Sequence, residues 1–121
     1  MKRLALALVL VGCSTTDDRP AQWSLISTTI IQPRCGTAGC HSELAKTKGV
    51  VLDSRDAGYR SLVTAPPDGY GEYVVPTDPD RSALMFLLRG IEVKRMPPDG
   101  PLPSADIDLI EQWIADGAKD D

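Results

Sequence analysis

The stretch Cys35-Gly-Thr-Ala-Gly-Cys40-His41 brings two thiols and an imidazole into one short segment. His41 is the only histidine of the chain, and the third cysteine, Cys13, lies near the amino terminus. Three chemistries use such a cluster: a disulfide between the two cysteines, a zinc site completed by a further residue, and haem bonded covalently to both sulfurs with the histidine on its iron. A disulfide closes only a small loop here, whereas a haem would organise a whole small domain around it.

The spacing of the two cysteines is compatible with haem attachment but does not require it. The two thiols must reach the two vinyl groups of one porphyrin edge, and a histidine directly after the second cysteine lies beneath the iron. The commonest spacing has two residues between the cysteines, whereas this chain has four. Gly36 and Gly39 can adopt positive φ, so we expect the additional residues to loop out without separating the sulfurs. A disulfide beside an unrelated histidine, and a zinc site, stay open at this point.

The amino-terminal residues have the pattern of an export signal. Lys2 and Arg3 precede an apolar run over residues 4–11 that is too short to span a bilayer as a permanent helix. The segment Leu10-Val-Gly-Cys13 resembles the lipobox of bacterial lipoproteins, in which cleavage precedes the cysteine and its thiol carries diacylglycerol. An ordinary secretory signal with an unrelated cysteine is the alternative, and both carry the chain out of the cytoplasm.

The chain therefore divides into three parts. We expect a lipoprotein signal peptide over residues 1–12, a polar tether over 13–22 and one domain over 23–121. The tether contains Pro20 and charged residues, and no packing is expected from Ser14 to Ala21. Lipid on Cys13 would hold the domain at the periplasmic face of a bacterial membrane, and the sequence leaves the choice between inner and outer membrane open.

Composition and charge exclude some partners. The chain has 121 residues, of which 42% are hydrophobic and 25% charged, values ordinary for one globular domain. Its net charge is -4, and removal of Lys2 and Arg3 with the signal peptide makes the remainder more acidic. Phosphate backbones bind clustered basic residues, so we exclude nucleic acid as a partner. Only 5% of residues are aromatic, so a bound haem could fill part of the core.

Apolar periodicity predicts short helices. The first begins with Ser24 as its cap and ends at Pro33, although the β-branched run over residues 27–31 leaves a strand possible. The second is capped by Asp53 or Ser54 and is followed by a turn-rich loop over 65–71.

Two further helices are predicted in the second half of the chain. One begins at Pro79 and ends before Gly90. The last is capped by Ser104, has Gly117 at its end and presents an apolar face. Trp113 belongs to that face, and we expect it to pack this helix on the first one.

A methionine in a proline-rich loop is the candidate for a second iron ligand. Met96 stands in Lys94-Arg-Met-Pro-Pro-Asp-Gly100, where the prolines restrict the backbone and present the side chain on a stiff loop. A thioether opposite histidine is common in haem electron carriers because it raises the reduction potential. Met85 is the rival, but it lies in an apolar helical run, which favours a place in the core.

Several segments together carry a family resemblance. They are residues 49–54, 74–84, 95–100 and 107–118, which contain Val74-Val-Pro-Thr-Asp-Pro-Asp, Met96-Pro-Pro and Trp113-Ile-Ala-Asp-Gly-Ala118. With the Cys-His pair they resemble the small cytochrome c domains of class I, and most of all the planctomycete-type modules, over about residues 30–118. The chain departs from that pattern at Thr77, where the family usually has glycine, and in the spacing of the two cysteines.

The resemblance implies an all-α, cytochrome c-like domain of three to five short helices with long loops around one haem. It implies haem c held covalently by Cys35 and Cys40, iron ligation by His41 and Met96, and electron transfer with redox proteins as partners. With both axial positions filled, neither a substrate nor catalysis is expected. The alternatives are a haem-free lipoprotein with a Cys35–Cys40 disulfide, and a pentacoordinate haem enzyme or sensor if Met96 does not ligate. A zinc site is the least favoured, because two cysteines and one histidine leave a ligand missing.

Overall fold

The computed structural model describes residues 17–65 and 71–121, and that part of the chain is mostly helical with no β-strand. This confirms the predicted all-α class. The predicted signal peptide, Cys13 and most of the expected loop over 65–71 lie outside the described residues.

Helix α1 covers residues 23–35 and changes its winding twice. It consists of an α-helical segment, a π-helical segment and a second α-helical segment, namely Trp23–Ile26, Ser27–Ile31 and Gln32–Cys35. The hydroxyls of Thr28 and Thr29 donate to backbone carbonyls four residues earlier, each at 2.8 Å, which satisfies these β-branched residues inside a helix. The alternative of a strand over 27–31 is therefore wrong.

Both predicted ends of α1 were also wrong. Gln22 occupies the N-cap and Ser24 lies inside the helix. Pro33 lies inside this helix, just after its π-helical segment, and the helix continues past it to Cys35. Cys35, the first cysteine of the Cys-His stretch, therefore lies in the last turn of α1.

Helix α2 begins where the sequence predicted. It combines an α-helical segment, Arg55–Tyr59, with a π-helical one, Arg60–Thr64. Ser54 is its N-cap, with a side-chain oxygen that accepts a hydrogen bond from the Ala57 N–H at 3.4 Å. Asp53, the other candidate cap, instead accepts a bond from the backbone of the loop after His41.

Helices α3 and α4 form the second half of the domain. A 3₁₀ turn, Pro79–Arg81, precedes α3, Ala83–Arg89, which ends at Gly90 in the left-handed conformation as expected. Helix α4 is Ser104–Ala115, and its N-cap is Pro103, so the prediction of a Ser104 cap was wrong by one residue. Gly117 follows the C-cap, Asp116, with a φ of 110°.

The core joins α1 to α4 through aromatic rings. Trp23 and Trp113 are almost completely buried, and their rings stack with centroids 4.9 Å apart. This confirms that Trp113 packs α4 on α1. Tyr59 of α2 meets both indoles edge to face, and its hydroxyl donates to a carbonyl near the carboxyl terminus at 2.8 Å. Met85 is 2% exposed and belongs to this core, as its helical context predicted.

Part of the expected tether is packed against the domain. Ala21 contacts the hydrophobic core, and the guanidinium of Arg19 lies 2.8 Å from the carboxylate of Asp106 in the first turn of α4. The expectation of no packing from Ser14 to Ala21 was therefore wrong for these residues. Among the described residues, no helix has the length and apolar character needed to cross a membrane.

Candidate functional site

One pocket contains all four residues predicted to bind haem. It has a volume of about 690 Å³ and is lined by residues between Pro33 and Thr47 on one wall and between Met96 and Pro101 on the other. Cys35, Cys40, His41 and Met96 all contribute to its surface. Its volume lies within the range of roughly 300–1,000 Å³ typical of small-molecule and cofactor sites. The fold thus brings together two motifs that are far apart in the sequence.

The loop between the two cysteines is closed at its base by a hydrogen bond. The His41 N–H donates to the Cys35 carbonyl at 3.0 Å, and inside the loop the Cys40 N–H donates to the Thr37 carbonyl at 2.9 Å. The two ends of the loop are therefore joined by a hydrogen bond, although four residues separate the cysteines. Thr37 and Gly39 of the loop also line the pocket.

The glycines of this loop act differently from the prediction. Neither Gly36 nor Gly39 has positive φ; Gly36 has a φ of -80°. Gly36 is instead required because its backbone lies very close to residues 52–53. A Cβ at this position would lie 2.5 Å from the carbonyl oxygen of Leu52 and 2.7 Å from the Cα of Asp53. Around Gly39 no atom lies within 4 Å of such a Cβ. The loop is therefore pressed against residues 52–53 on one side and open on the other.

The imidazole of His41 is oriented by the backbone. Its Nδ1 lies 3.3 Å from the carbonyl oxygen of Val50, and because a carbonyl only accepts, a hydrogen bond here has Nδ1–H as its donor. In the neutral imidazole this leaves the lone pair on Nε2. The His41 carbonyl also accepts a bond from the Leu52 N–H at 2.6 Å. A metal-bound histidine typically has this arrangement, in which one ring nitrogen donates to a carbonyl and the other is free to ligate.

The two thiols have different surroundings. Both are free, Cys35 is partly buried and Cys40 is exposed. Burial, reinforced by the neighbouring Cys40, raises the pKa of the Cys35 thiol to about 11. Cys35 thus stays protonated at neutral pH, at the inner end of the pocket wall.

The second wall is held by helix α3. The Met96 N–H donates to the carbonyl of Leu87 at 2.9 Å, which ties the proline-rich loop to the end of that helix. Met96 is partly buried, and Pro97, Pro98 and Pro101 give this wall an apolar surface. A thioether is consequently presented from a restrained backbone to the same space as the imidazole.

The arginines of the domain have different surroundings. Arg55 pairs with Asp120 at 2.6 Å and Arg81 with Asp78 at 2.7 Å. Arg95, which precedes Met96, has a buried Nε with no hydrogen-bond partner among the described residues. Arg34 lines the pocket itself and is a residue that sequence analysis did not single out. The guanidinium of Arg34 at the pocket suits a ligand with anionic substituents, which haem has.

Comparison with protein-family models, with curated proteins and with solved structures finds no match to this chain. Within residues 17–65 and 71–121, no group of three or more His, Cys, Asp or Glu side chains is arranged to hold a metal ion. A zinc site would need such a group. Iron in haem does not, because the porphyrin supplies four of its ligands and the protein only the axial ones.

Sequence analysis missed the residues that act through their backbone. The Val50 carbonyl that orients His41 and the Leu52 N–H that holds its carbonyl belong to residues 49–54, a segment used only for the family resemblance and not as part of the site. Any residue type offers these backbone groups, so no sequence signal marks them. The approach of Leu52 to Gly36 is the one feature with a local signature, a glycine directly after a cysteine.

Proposed function

We propose that this protein is a lipid-anchored monohaem cytochrome c that transfers electrons at the periplasmic face of a bacterial membrane. Its haem c is held by thioether bonds to Cys35 and Cys40, and its axial ligands are His41 and Met96. The observation that supports the proposal is the convergence of these four side chains on one pocket of about 690 Å³.

The donor set and the ring orientation fit haem. Two thiols on one wall suit the two vinyl groups of a porphyrin edge, and His41 follows the second thiol with its Nδ1 held by the Val50 carbonyl. When bound, haem supplies an iron that accepts and returns a single electron. The chain's own residues orient the imidazole, present the thioether and exclude water with the apolar wall of Pro97 and Pro98.

Ligation by Met96 separates an electron carrier from a haem enzyme or sensor. The Met96 loop lines the same pocket as His41 and is restrained by its bond to Leu87, so its thioether would be available as a second ligand to an iron held by the imidazole. With both axial positions filled, no position remains on the iron for a substrate. We therefore propose electron transfer and not catalysis.

Spectroscopy of the purified protein tests the cofactor. Protein produced with a bacterial cytochrome c maturation system is expected to show Soret and α bands that survive acid-acetone extraction, since thioether bonds do not dissociate. Cys35→Ala and Cys40→Ala together should make the haem extractable. A colourless wild-type protein without free thiols would refute haem binding and favour the Cys35–Cys40 disulfide.

A matched pair of methionine variants tests the axial ligand. Met96→Ala is expected to lose the sulfur-to-iron charge-transfer band at the red end of the oxidised spectrum. Met85→Leu conserves volume in the core, so it should keep the band. If the band persists in Met96→Ala, Met96 is not the ligand, and binding of added cyanide or carbon monoxide to the wild type would then favour the enzyme or sensor.

A further inference from the structure

Helix α3 ends at a point that is fixed to the rest of the domain. Leu88 is 1% exposed and belongs to the core. The guanidinium of Arg89, the last residue of α3, donates two hydrogen bonds to the carboxylate of Glu111 on α4, at 3.2 and 2.8 Å. A bidentate pair of this kind fixes the relative orientation of its two partners. The last turn of α3 is therefore a stable reference for the chain that follows it.

The chain reverses direction at Gly90 and comes back to the end of α3. Gly90 has a φ of 65°, which glycine adopts without steric penalty. Residues 91–95 then lead to Met96, whose N–H donates to the carbonyl of Leu87 at 2.9 Å. The segment 90–96 is here called the α3 return. It connects the end of a helix to the candidate iron ligand.

Arg95 lies against Gly90 and occupies the space that a side chain would need there. A Cβ added at Gly90 would lie 3.0 Å from the Cβ of Arg95, 3.6 Å from its Cγ and 3.7 Å from its Cα. The first distance is shorter than the separation at which carbon atoms normally pack. The Nε of Arg95 is buried, so this side chain is enclosed at that atom. A group added at position 90 must therefore displace Arg95, which is bonded directly to Met96.

A displacement of Arg95 reaches the thioether through the backbone. The peptide unit between Arg95 and Met96 is planar and does not absorb a shift by rotation about its C–N bond. Groups that bind a ligand or cofactor must be held within about 0.5 Å of their working position. A shift of a few tenths of an ångström in Arg95 is thus large enough to weaken a bond from Met96 to iron.

We propose that Gly90 is a positioning residue for the iron ligand Met96. Because Gly90 has no side chain, Arg95 can lie against the end of α3, and this contact sets where the thioether enters the pocket. Gly90 and Arg95 do not line the pocket themselves, so they act through Met96 and not on the haem. The inference rests on the proposed function, because it requires Met96 on the iron. A single methyl group outside the pocket is thus expected to shift the iron toward a form with one axial position open.

Imidazole binding to the ferric holoprotein measures how firmly Met96 is held. Imidazole must displace the thioether to reach the iron, so a weakened Met96 bond is observed as tighter imidazole binding. In Gly90→Ala the dissociation constant should fall about tenfold, which corresponds to about 1.4 kcal/mol. The titration is followed at the sulfur-to-iron charge-transfer band, which disappears as imidazole binds. It is made without denaturant on folded protein, so a loss of global stability alone does not produce this result.

Gly117→Ala is the matched control. Gly117 also follows a helix and has a positive φ, 110°, but the nearest atom to a Cβ there is the Cε of Lys119 at 3.9 Å, an ordinary van der Waals distance. Both substitutions place alanine on a backbone with positive φ and should lower the urea midpoint. Gly117→Ala should change the imidazole dissociation constant less than twofold. Equal dissociation constants in Gly90→Ala and Gly117→Ala would refute the positioning role.

A second substitution tests the route through Arg95. Arg95→Gly removes the Cβ and Cγ that the new methyl group meets, so Gly90→Ala with Arg95→Gly should bind imidazole within about threefold of Arg95→Gly alone. A tenfold effect of Gly90→Ala that remains in the presence of Arg95→Gly would overturn the contact as its cause. If Gly90→Ala gives no folded holoprotein, Gly90→Asn replaces it, because asparagine tolerates positive φ and carries the same Cβ. The same tenfold decrease is expected.

The charge-transfer band separates this inference from the proposed function. Absence of the band in the wild type, or its presence in Met96→Ala, would refute iron ligation by Met96 and the positioning role with it. When the band behaves as expected for Met96, unchanged imidazole binding in the position-90 variants would overturn the role of Gly90 and leave the proposed function intact.

Discussion

Gly36 and Gly39 lie in the same loop but have opposite packing, which allows a sharp test of the structure. Alanine at position 36 would place a Cβ 2.5 Å from the Leu52 carbonyl oxygen and 2.7 Å from the Asp53 Cα. Both contacts are with backbone, so the loop and the 52–53 segment must move apart. Overpacking of this kind costs about 1–3 kcal/mol, and loss of the hydrogen bond from Leu52 to His41 adds about 1 kcal/mol. Gly36→Ala should therefore reduce the free energy of unfolding by about 2–4 kcal/mol.

Gly39→Ala is the matched control. The added Cβ meets no atom within 4 Å, and Gly39 does not have positive φ, so the free energy of unfolding should change by less than about 0.5 kcal/mol. For a domain of about 100 ordered residues, the expected loss in Gly36→Ala corresponds to a Tm lower by roughly 10–20 °C.

Urea unfolding followed by tryptophan fluorescence measures the difference, because Trp23 and Trp113 are both buried and stacked. Wild type and the two variants are purified identically and compared at equal slopes of free energy against denaturant. The yield of protein-bound haem is recorded in parallel, since displacement of Leu52 would also move His41. If the free energies of unfolding of the two variants differ by less than about 0.5 kcal/mol, the close approach of the cysteine loop to Leu52 is refuted.

Three further changes have defined outcomes. Ser82→Ala should lower the free energy of unfolding by about 1–3 kcal/mol in urea titrations, because the fully buried Ser82 hydroxyl accepts a hydrogen bond from the Val75 N–H at 2.9 Å. Faster amide exchange at Val75 would locate the defect. An unchanged urea midpoint would contradict the prediction. Burial raises the pKa of Tyr59, so the folded protein favours the neutral phenol. The resulting stability is fully present below the ordinary tyrosine pKa of about 10 and is lost as the pH rises further. Tyr59→Phe should remove this alkaline decline in Tm, and an identical decline in the variant would refute the prediction. In haem-free protein at pH 8, iodoacetamide should alkylate the exposed Cys40 before Cys35, because the Cys35 pKa of about 11 leaves little thiolate. Mass spectrometry after brief treatment measures the order of labelling. Equal labelling of the two cysteines would contradict the burial of Cys35.

Helix termini illustrate the limit of local sequence rules. Ser54, one of the two predicted caps, and Gly90, the predicted stop, both hold the predicted roles, because each has a single local competitor or none. The predictions of Ser24 and Ser104 as caps were wrong because Gln22 and Pro103 lie close enough to the helices to occupy the cap positions. Packing of Trp23 and of α4 decides at which residue each helix begins.

The sequence by itself determined the all-α class and the kinds of side chain available to the candidate site. Both are local properties: apolar periodicity defines the helices, and Cys35, Cys40, His41 and Met96 carry their chemistry wherever they lie. Tertiary structure alone decided that these residues share a pocket, because their convergence depends on how the loop ending in His41 and the loop tied to α3 are docked on one core.

The same holds for the role of each neighbour. Gly36 is required by the approach of the Leu52 backbone, and His41 is oriented by the Val50 carbonyl. Both relations use backbone carbonyls, which every amino acid has, so the residue types do not reveal them. The chain encodes the residue types of the candidate site locally, and the packed domain sets their relative positions.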